Sequence, residues 1–273
     1  MKSTINSISL GNDTTLEYAE CGDPSGTPVI CLHGVTDSYH SFDPVLPYLP
    51  GGLRVFAISQ RGHGHSSRPL TGYRYADFAE DVHRFMNALK IPSALIVGHS
   101  MGSLVAQRFA IDHPSRALGL VLVGAFHTLH GDAGMEDYWS TTISALSDPI
   151  DRSVALEFQL STIATSVPAG YLDLVVQESL KVPAHVWRAT FSEFLATDFS
   201  RDLTRLQMPV LMMWGELDSY CGEIQRTGLK RAIPHAQSRV YDGLGHALHW
   251  EAPERFANDV VSFVQQQCLH HAV

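Results

Sequence analysis

Ala94-Leu95-Ile96-Val97-Gly98-His99-Ser100-Met101-Gly102-Ser103 decides the fold of this 273-residue chain. A short apolar run of the kind buried on both sheet faces meets Gly-x-Ser-x-Gly, and a helical pattern then continues through Leu104, Val105 and Phe109. Glycines at 98 and 102 remove side chains that would collide in so tight a turn, so the spacing predicts that Ser100 is held above the strand end with its hydroxyl presented to a ligand. As a bare Gly-rich turn the pattern is weak, and the strand before it gives it meaning.

Outward from this stretch, similar apolar runs stand at Pro28–His33, Leu53–Ser59, Leu118–Gly124, Pro209–Trp214 and Ser238–Tyr241, and Thr14–Glu20 alternates in the manner of a half-buried strand. Helix-length segments separate most of them. Within Tyr75–Lys90, Phe78, Val82, Phe85, Met86 and Leu89 fall on one helical face, and Phe256, Val260, Phe263 and Val264 repeat the pattern after Pro253. Strand and helix in alternation predict an α/β fold built on a parallel sheet. Residues 125–208 are far too long for an ordinary connection and carry no clear strand, so they are expected to form a helical cap inserted into a core of residues 1–124 and 209–273.

Composition narrows the partners. The net charge is −9, with 28 carboxylates against 19 Lys and Arg, and no basic run. Such a surface repels phosphate backbones and anionic lipid, which argues against nucleic acid or membrane as partner and for a small-molecule substrate. The cap carries 11 acidic and 5 basic residues, so a strongly anionic substrate would approach it against the field. Cys21, Cys31, Cys221 and Cys268 show no C-x-x-C spacing and read as free thiols of a cytoplasmic protein. Met1–Glu20 lacks the apolar segment of a signal peptide, Ala117–Phe126 is too short to span a bilayer, and Leu269–Val273 is expected to fray. No H-E-x-x-H or Cys/His cluster with metal spacing appears, and no phosphate-cradling glycine motif opens a helix, so neither metal nor cofactor is expected. Nothing in the sequence sets the oligomeric state.

Leu32-His33-Gly34, Gln60-Arg61-Gly62-His63-Gly64-His65-Ser66, Gly98-His99-Ser100-Met101-Gly102 and Gly245-His246, in that order, resemble the α/β-hydrolase superfamily along nearly the whole chain. The resemblance implies a mostly parallel eight-stranded sheet flanked by helices, with the cap after strand 6, in a serine-nucleophile, esterase- or lactonase-like branch. It implies Ser100 as nucleophile and His246, on a glycine-flanked loop, as its base. His249 is the local competitor, expected to be structural. Trp214-Gly215-Glu216-Leu217-Asp218 matches the family's W-G-x-x-D pattern at the end of strand 7, making Asp218 the acid that orients the imidazole. Glu216 is the rival carboxylate, whereas Gly124-Ala125-Phe126 after strand 6 offers none. By the same resemblance the backbone N–H groups of Val35 and Met101 form the oxyanion hole, and their side chains line the acyl pocket. Phe126, Trp139 and Trp187 are the cap-side candidates for substrate binding, with helix core as the plainer role for cap aromatics. His33, Arg61 and His63 are expected to brace loops. Ser59 stands where the family usually has aspartate, which predicts a weaker loop. Arg188 is expected in a surface ion pair.

By the resemblance these residues imply acyl transfer to water. Prevalence in the superfamily, together with nine cap aromatics available as an apolar roof (Phe126, Tyr138, Trp139, Phe158, Tyr171, Trp187, Phe191, Phe194 and Phe199), favours a small to medium, uncharged carboxylic ester or lactone over a thioester or amide. Aspartate-nucleophile dehalogenases and epoxide hydrolases are excluded by Ser100. The alternatives are a carbon–carbon bond hydrolase of ring-cleavage products, a cofactor-free perhydrolase, and a ligand receptor on the same scaffold. Trp250, four residues past His246, favours the first of these, but Ala247 stands where those enzymes commonly carry a second tryptophan.

Overall fold

The computed structural model describes residues 3–268. The side chain of Cys268 and the segment Leu269–Val273 lie outside the described residues. Eight strands form one sheet: β1 (Thr4–Gly11), β2 (Thr14–Gly22), β3 (Thr27–Leu32), β4 (Leu53–Ile58), β5 (Ala94–His99), β6 (Ala117–Val123), β7 (Val210–Gly215) and β8 (Gln237–Tyr241), in the order β1-β2-β4-β3-β5-β6-β7-β8. β2 is antiparallel to both β1 and β4, and all other pairs are parallel. The superfamily architecture expected from the motifs is therefore present. β1 falls within the first 33 residues, whose pattern reads as strands. Its hairpin to β2 turns through Asn12 and Asp13, both with positive φ (50° and 57°), the conformation of a turn whose twist matches that of paired strands.

The helices are α1 (Tyr75–Ala88), α2 (Met101–Asp112), α3 (Ala133–Thr141), α4 (Arg152–Ser161), α5 (Ala169–Leu180), α6 (Ala184–Ala196), α7 (Glu223–Ala232), α8 (Leu248–Glu251) and α9 (Pro253–Phe263). Alternation along the central strands divides the core. Ile30, Leu32 and Ile96 join the cluster beneath α1 and α2, whereas Val29, Cys31, Leu95 and Val97 join the one covered by α9. Phe85, fully buried on the apolar stripe of α1, contributes about 2–3 kcal/mol by leaving water.

Helices α3–α6 all lie between β6 and β7, and the two ends of this insertion meet in an isolated bridge between Thr128 and Asp198. Gln225 of α7 fastens its base, accepting from the His127 and Thr128 N–H groups and donating to the Thr128 carbonyl. Arg188 differs from its expected surface ion pair: its guanidinium donates to the Leu146 carbonyl, joining two parts of the insertion.

Leu32 of β3 pairs with Gly98 of β5, Gly98 with Leu122 of β6, and Gly215 of β7 with Tyr241 of β8. The loops after β3, β5, β6, β7 and β8 thus leave one common edge, the carboxyl ends of the parallel strands, where open α/β sheets place their ligands. Among the described residues no helix is long and apolar enough to cross a membrane.

Candidate active site

Ser100 sits between β5 and α2 with φ 52° and ψ −117°, a strained turn that lifts it from the strand. The two flanking glycines are required by contact. A Cβ on Gly98 would lie 2.2 Å from the Gly102 carbonyl oxygen, and one on Gly102 2.1 Å from that of Leu32. Met101 opens α2, so its N–H belongs to the unpaired first turn, at the positive end of the helix dipole.

Across the sheet edge, His246 Nδ1–H donates to Asp218 Oδ2 at 2.9 Å, both groups buried. The other carboxylate oxygen accepts from the backbone N–H groups of Tyr220 and Cys221, each at 2.9 Å. Burial opposes ionisation of Asp218 most strongly, but the adjoining imidazole and these donors outweigh it and hold its pKa below the ordinary value. The carboxylate is charged at neutral pH and aligned on the ring. Glu216, the rival, accepts from the Gly243 N–H instead. His249 lies fully buried against Phe42, its Nε2 bonded to Ser41 Oγ at 3.2 Å. Burial and the nearby His246 depress its pKa to about 3, so it stays neutral.

The loop after β3 is braced by His33, whose Nε2 accepts from the Gln60 N–H at 2.9 Å while the Gln60 side chain returns a bond to the His33 carbonyl. Arg61 makes a two-pronged pair with Asp81 and donates to the Gly72 carbonyl, which ties it to the scaffold. The loop is not weakened at Ser59. Glu17 supplies the carboxylate from β2, accepting from Ser59 Oγ and from the His65 N–H.

Ser100, His246, His99, Val35 and Phe126 line a narrow cavity with about 20 Å³ of room for the centre of a water-sized group. Met135, Phe158, Phe191, Phe194, Tyr220 and Trp250 complete much of its wall; Phe158, Phe191 and Phe194 are among the cap aromatics that the sequence offers as an apolar roof, whereas Met135 and Tyr220 were not read from it. The first four come from helices whose orientation no spacing reveals. Tyr220 follows Asp218 by two residues and Trp250 follows His246 by four, so their proximity was the available signal.

Three expected pocket residues are corrected. Trp187 is fully buried behind the wall, 5.5 Å from the Phe158 ring and stacked on Phe191 at 6.1 Å. Trp139 packs half-buried on the core, and Met135, one turn earlier on α3, reaches the cavity in its place. The Met101 side chain is fully buried in the core beneath the turn. A second cavity of about 430 Å³ shares Met135, Phe158 and Tyr220 with the first and is otherwise lined by residues such as Leu129, Tyr138 and Ser161. Tyr220 Oη and Ser161 Oγ, 2.6 Å apart, link the β7–α7 loop to α4 at this junction.

Ligand atoms of Asp218, Cys221 and His246 also lie close enough to share a metal ion. Burial raises the Cys221 thiol well above its usual range, which opposes the thiolate a metal requires, and Asp218 is already bonded to the ring. On the surface Glu80, His83 and His113 also converge, with Glu80 paired to Arg84 and the two imidazoles stacked at 4.1 Å.

Gly124 of the β6 turn has φ +52°, and a Cβ there would come within 2.7 Å of His246 Cε1 and 2.8 Å of Nδ1. Gly124→Ala is expected to push the imidazole off Asp218 and cut turnover at least about 100-fold, as misplacement by an ångström does. Steady-state kinetics on a variant whose circular dichroism matches the wild type checks this.

The family model for the α/β-hydrolase fold matches residues 27–253, and the chain belongs to this family of hydrolases. It is 27% identical over 277 aligned residues to a non-heme chloroperoxidase of Streptomyces lividans, covering 96% of this chain and 100% of that protein. Among solved structures, an esterase from Rhodococcus sp. ECU1013 superposes with a TM-score of 0.84 at 26% identity, covering 98% of this chain and 100% of the other. A bromoperoxidase from Bacillus anthracis superposes with a TM-score of 0.87 at 23% identity over 96% and 100%, which speaks to the fold alone.

Proposed function

We propose that the protein is a serine hydrolase of small, uncharged carboxylic esters or lactones, with Ser100 as nucleophile, His246 as base and Asp218 as its orienting acid. The observation that carries this reading is the buried 2.9 Å bond from His246 Nδ1 to Asp218, with His246 and Ser100 in the wall of one cavity. A hydroxyl is a poor nucleophile at neutral pH. With Nδ1–H committed to Asp218, Nε2 keeps the lone pair that removes the serine proton. Ser100 Oγ then adds to the ester carbonyl, and the backbone N–H groups of Val35 and Met101 stabilise the oxyanion. The imidazolium returns the proton to the departing alcohol. The same base activates water, which adds to the acyl-enzyme and releases the acid and Ser100. Phe126, Phe191 and Phe194 give the acyl group an apolar surround. The esterase similarity supports the choice of bond.

The chloroperoxidase similarity favours a second reading, perhydrolysis, in which peroxide replaces water in the last step and a carboxylic acid leaves as its peracid. Buried free cysteines at positions 21, 31 and 221 support a reducing, cytoplasmic setting.

Hydrolysis of p-nitrophenyl esters from acetate to dodecanoate tests the assignment. The narrow cavity predicts kcat/KM highest at acetate to butyrate and falling at least about tenfold by octanoate, since overfilling a packed site is costly. A maximum at long chains would overturn the confined acyl pocket, and no turnover at any length would overturn the ester reading.

A further inference from the structure

Besides Ser100 and His246, the wall of the catalytic cavity is mostly apolar and aromatic but includes Thr162, whose hydroxyl is spent on the Gln159 carbonyl, and a group of polar side chains, Asp37, His99 and Gln159, all at least 98% buried. Asp37 lies in the loop after β3. Gln159 Nε2 donates to it at 2.9 Å and Ser41 Oγ at 3.2 Å, and among the described residues it makes no ion pair. Burial, with a smaller push from Glu178, raises its carboxyl to about 7 against these two bonds and a third from the Gly34 backbone. The Gln159 amide faces Asp37 with its nitrogen, which also donates to Ser179 Oγ at 2.8 Å, and its oxygen Oε1 is buried with no partner. His99 uses Nε2 toward the His246 carbonyl at 3.2 Å, so Nε2 carries the proton and Nδ1 is left as a lone-pair acceptor, again with no partner. His99 Nδ1 and Asp37 Oδ2 approach the same bare side of Gly34, since a Cβ there would lie 3.0 Å from one and 3.1 Å from the other.

Three residues that line one cavity therefore carry buried acceptors, and two of these acceptors have no donor. Buried acceptors are expensive to leave unmade, and the catalytic groups of the preceding section have no use for these. An anionic group would be repelled here, and an alkyl group would leave the acceptors dry. We propose that Asp37, Gln159 and His99 form a subsite for a hydrogen-bond-donating group of the substrate, a hydroxyl or an amide N–H carried close to the scissile carbonyl. The closeness follows from Gly34, which adjoins Val35, the residue whose N–H is assigned to the oxyanion. This subsite rests on the serine-hydrolase reading and adds to it the class of acyl group: a hydroxy-acyl or acylamino-acyl ester rather than a plain alkyl one.

Matched esters test it. Ethyl 2-hydroxypropanoate is compared with ethyl 2-methylpropanoate, ethyl 3-hydroxybutanoate with ethyl 3-methylbutanoate, and ethyl N-acetylglycinate with ethyl 4-oxopentanoate. Each pair exchanges one donor for a methyl or methylene of similar size. The donor-bearing member is expected to win by about tenfold or more in kcat/KM in at least one pair, because a site built to bond a donor discriminates strongly against its isostere. Asp37→Asn places an amide donor among the acceptors, and Gln159→Leu removes one of them; each should pull that ratio toward one whatever its effect on absolute rate. Equal kcat/KM within all three pairs would show that the subsite holds nothing but water and overturns the proposal, as does an undiminished preference in Asp37→Asn. Calorimetric binding of the same pairs to Ser100→Ala separates the subsite from the chemistry. Donor preference in binding without turnover by wild type would sink the hydrolase reading and leave the subsite standing, whereas turnover of plain esters with no donor preference in either assay does the reverse.

Discussion

Ser100→Ala is expected to lower kcat for p-nitrophenyl acetate by about 10⁶, because it removes the atom to which the acyl group would be transferred. The change should leave the fold intact. The strained backbone at Ser100 costs alanine and serine alike, and the buried Ser103 beside it bonds the Ser100 carbonyl, which alanine retains. Stability is expected to stay within about 0.5 kcal/mol of wild type, as for substitutions that disturb neither packing nor a buried polar bond. Chemical denaturation run beside the kinetics checks both halves. A variant with undiminished turnover would remove Ser100 from the chemistry, whereas a wild type that is acylated once without steady-state hydrolysis would return the ligand-receptor alternative to consideration.

The prominence of Ser100 in the sequence has a physical cause. A serine held above a strand end needs glycine on both sides, and those glycines are required by backbone oxygens just over 2 Å from where a Cβ would stand, so geometry is written directly into residue type. Asp218 was legible through the resemblance, as the last residue of W-G-x-x-D at the end of a fully buried strand, Val210–Gly215, whose apolar run is unmistakable. The two amphipathic helices, Tyr75–Ala88 and Pro253–Phe263, were legible from period alone. β1 was legible only as part of an alternating amino terminus, without bounds of its own, because its residues are exposed or half-buried. The cavity wall was harder still. Trp139 and Trp187 are large and aromatic, and size suggested a pocket, but which side of a helix faces the substrate depends on how α3, α4 and α6 pack against one another. Trp187 spends its surface on Phe158 and Phe191, and those smaller rings meet the cavity. The polar group of Asp37, His99 and Gln159 was hidden for the same reason, since two of its members lie 122 residues apart.

Asp218→Asn should lower kcat by about 10⁴ with little change in KM, and the structure supplies the reason. Asp218 Oδ1 is held by two backbone N–H groups, from Tyr220 and Cys221, and only an acceptor satisfies them. The asparagine oxygen must therefore take that position, and its NH₂ turns toward His246 Nδ1. Two donors cannot face each other, so the imidazole shifts its proton to Nε2 and presents Nδ1 as the acceptor. Nε2 then has no lone pair with which to take the proton of Ser100. The loss is one of tautomer, with the ring still in place, and activity on esters should fall while the fold survives. The carboxylate also contributes to stability. Its folded pKa lies below the unfolded value, so the contribution is complete above the unfolded pKa and is lost as pH drops through the folded one. Near neutral pH the variant should accordingly be less stable than wild type, and the difference should shrink on acidification as the wild-type carboxyl takes up its proton. Denaturant titrations at pH 7 and near pH 3, beside kcat at pH 7, read both effects. Unimpaired turnover would transfer the orienting role away from Asp218, with Glu216 the nearest carboxylate in sequence to examine.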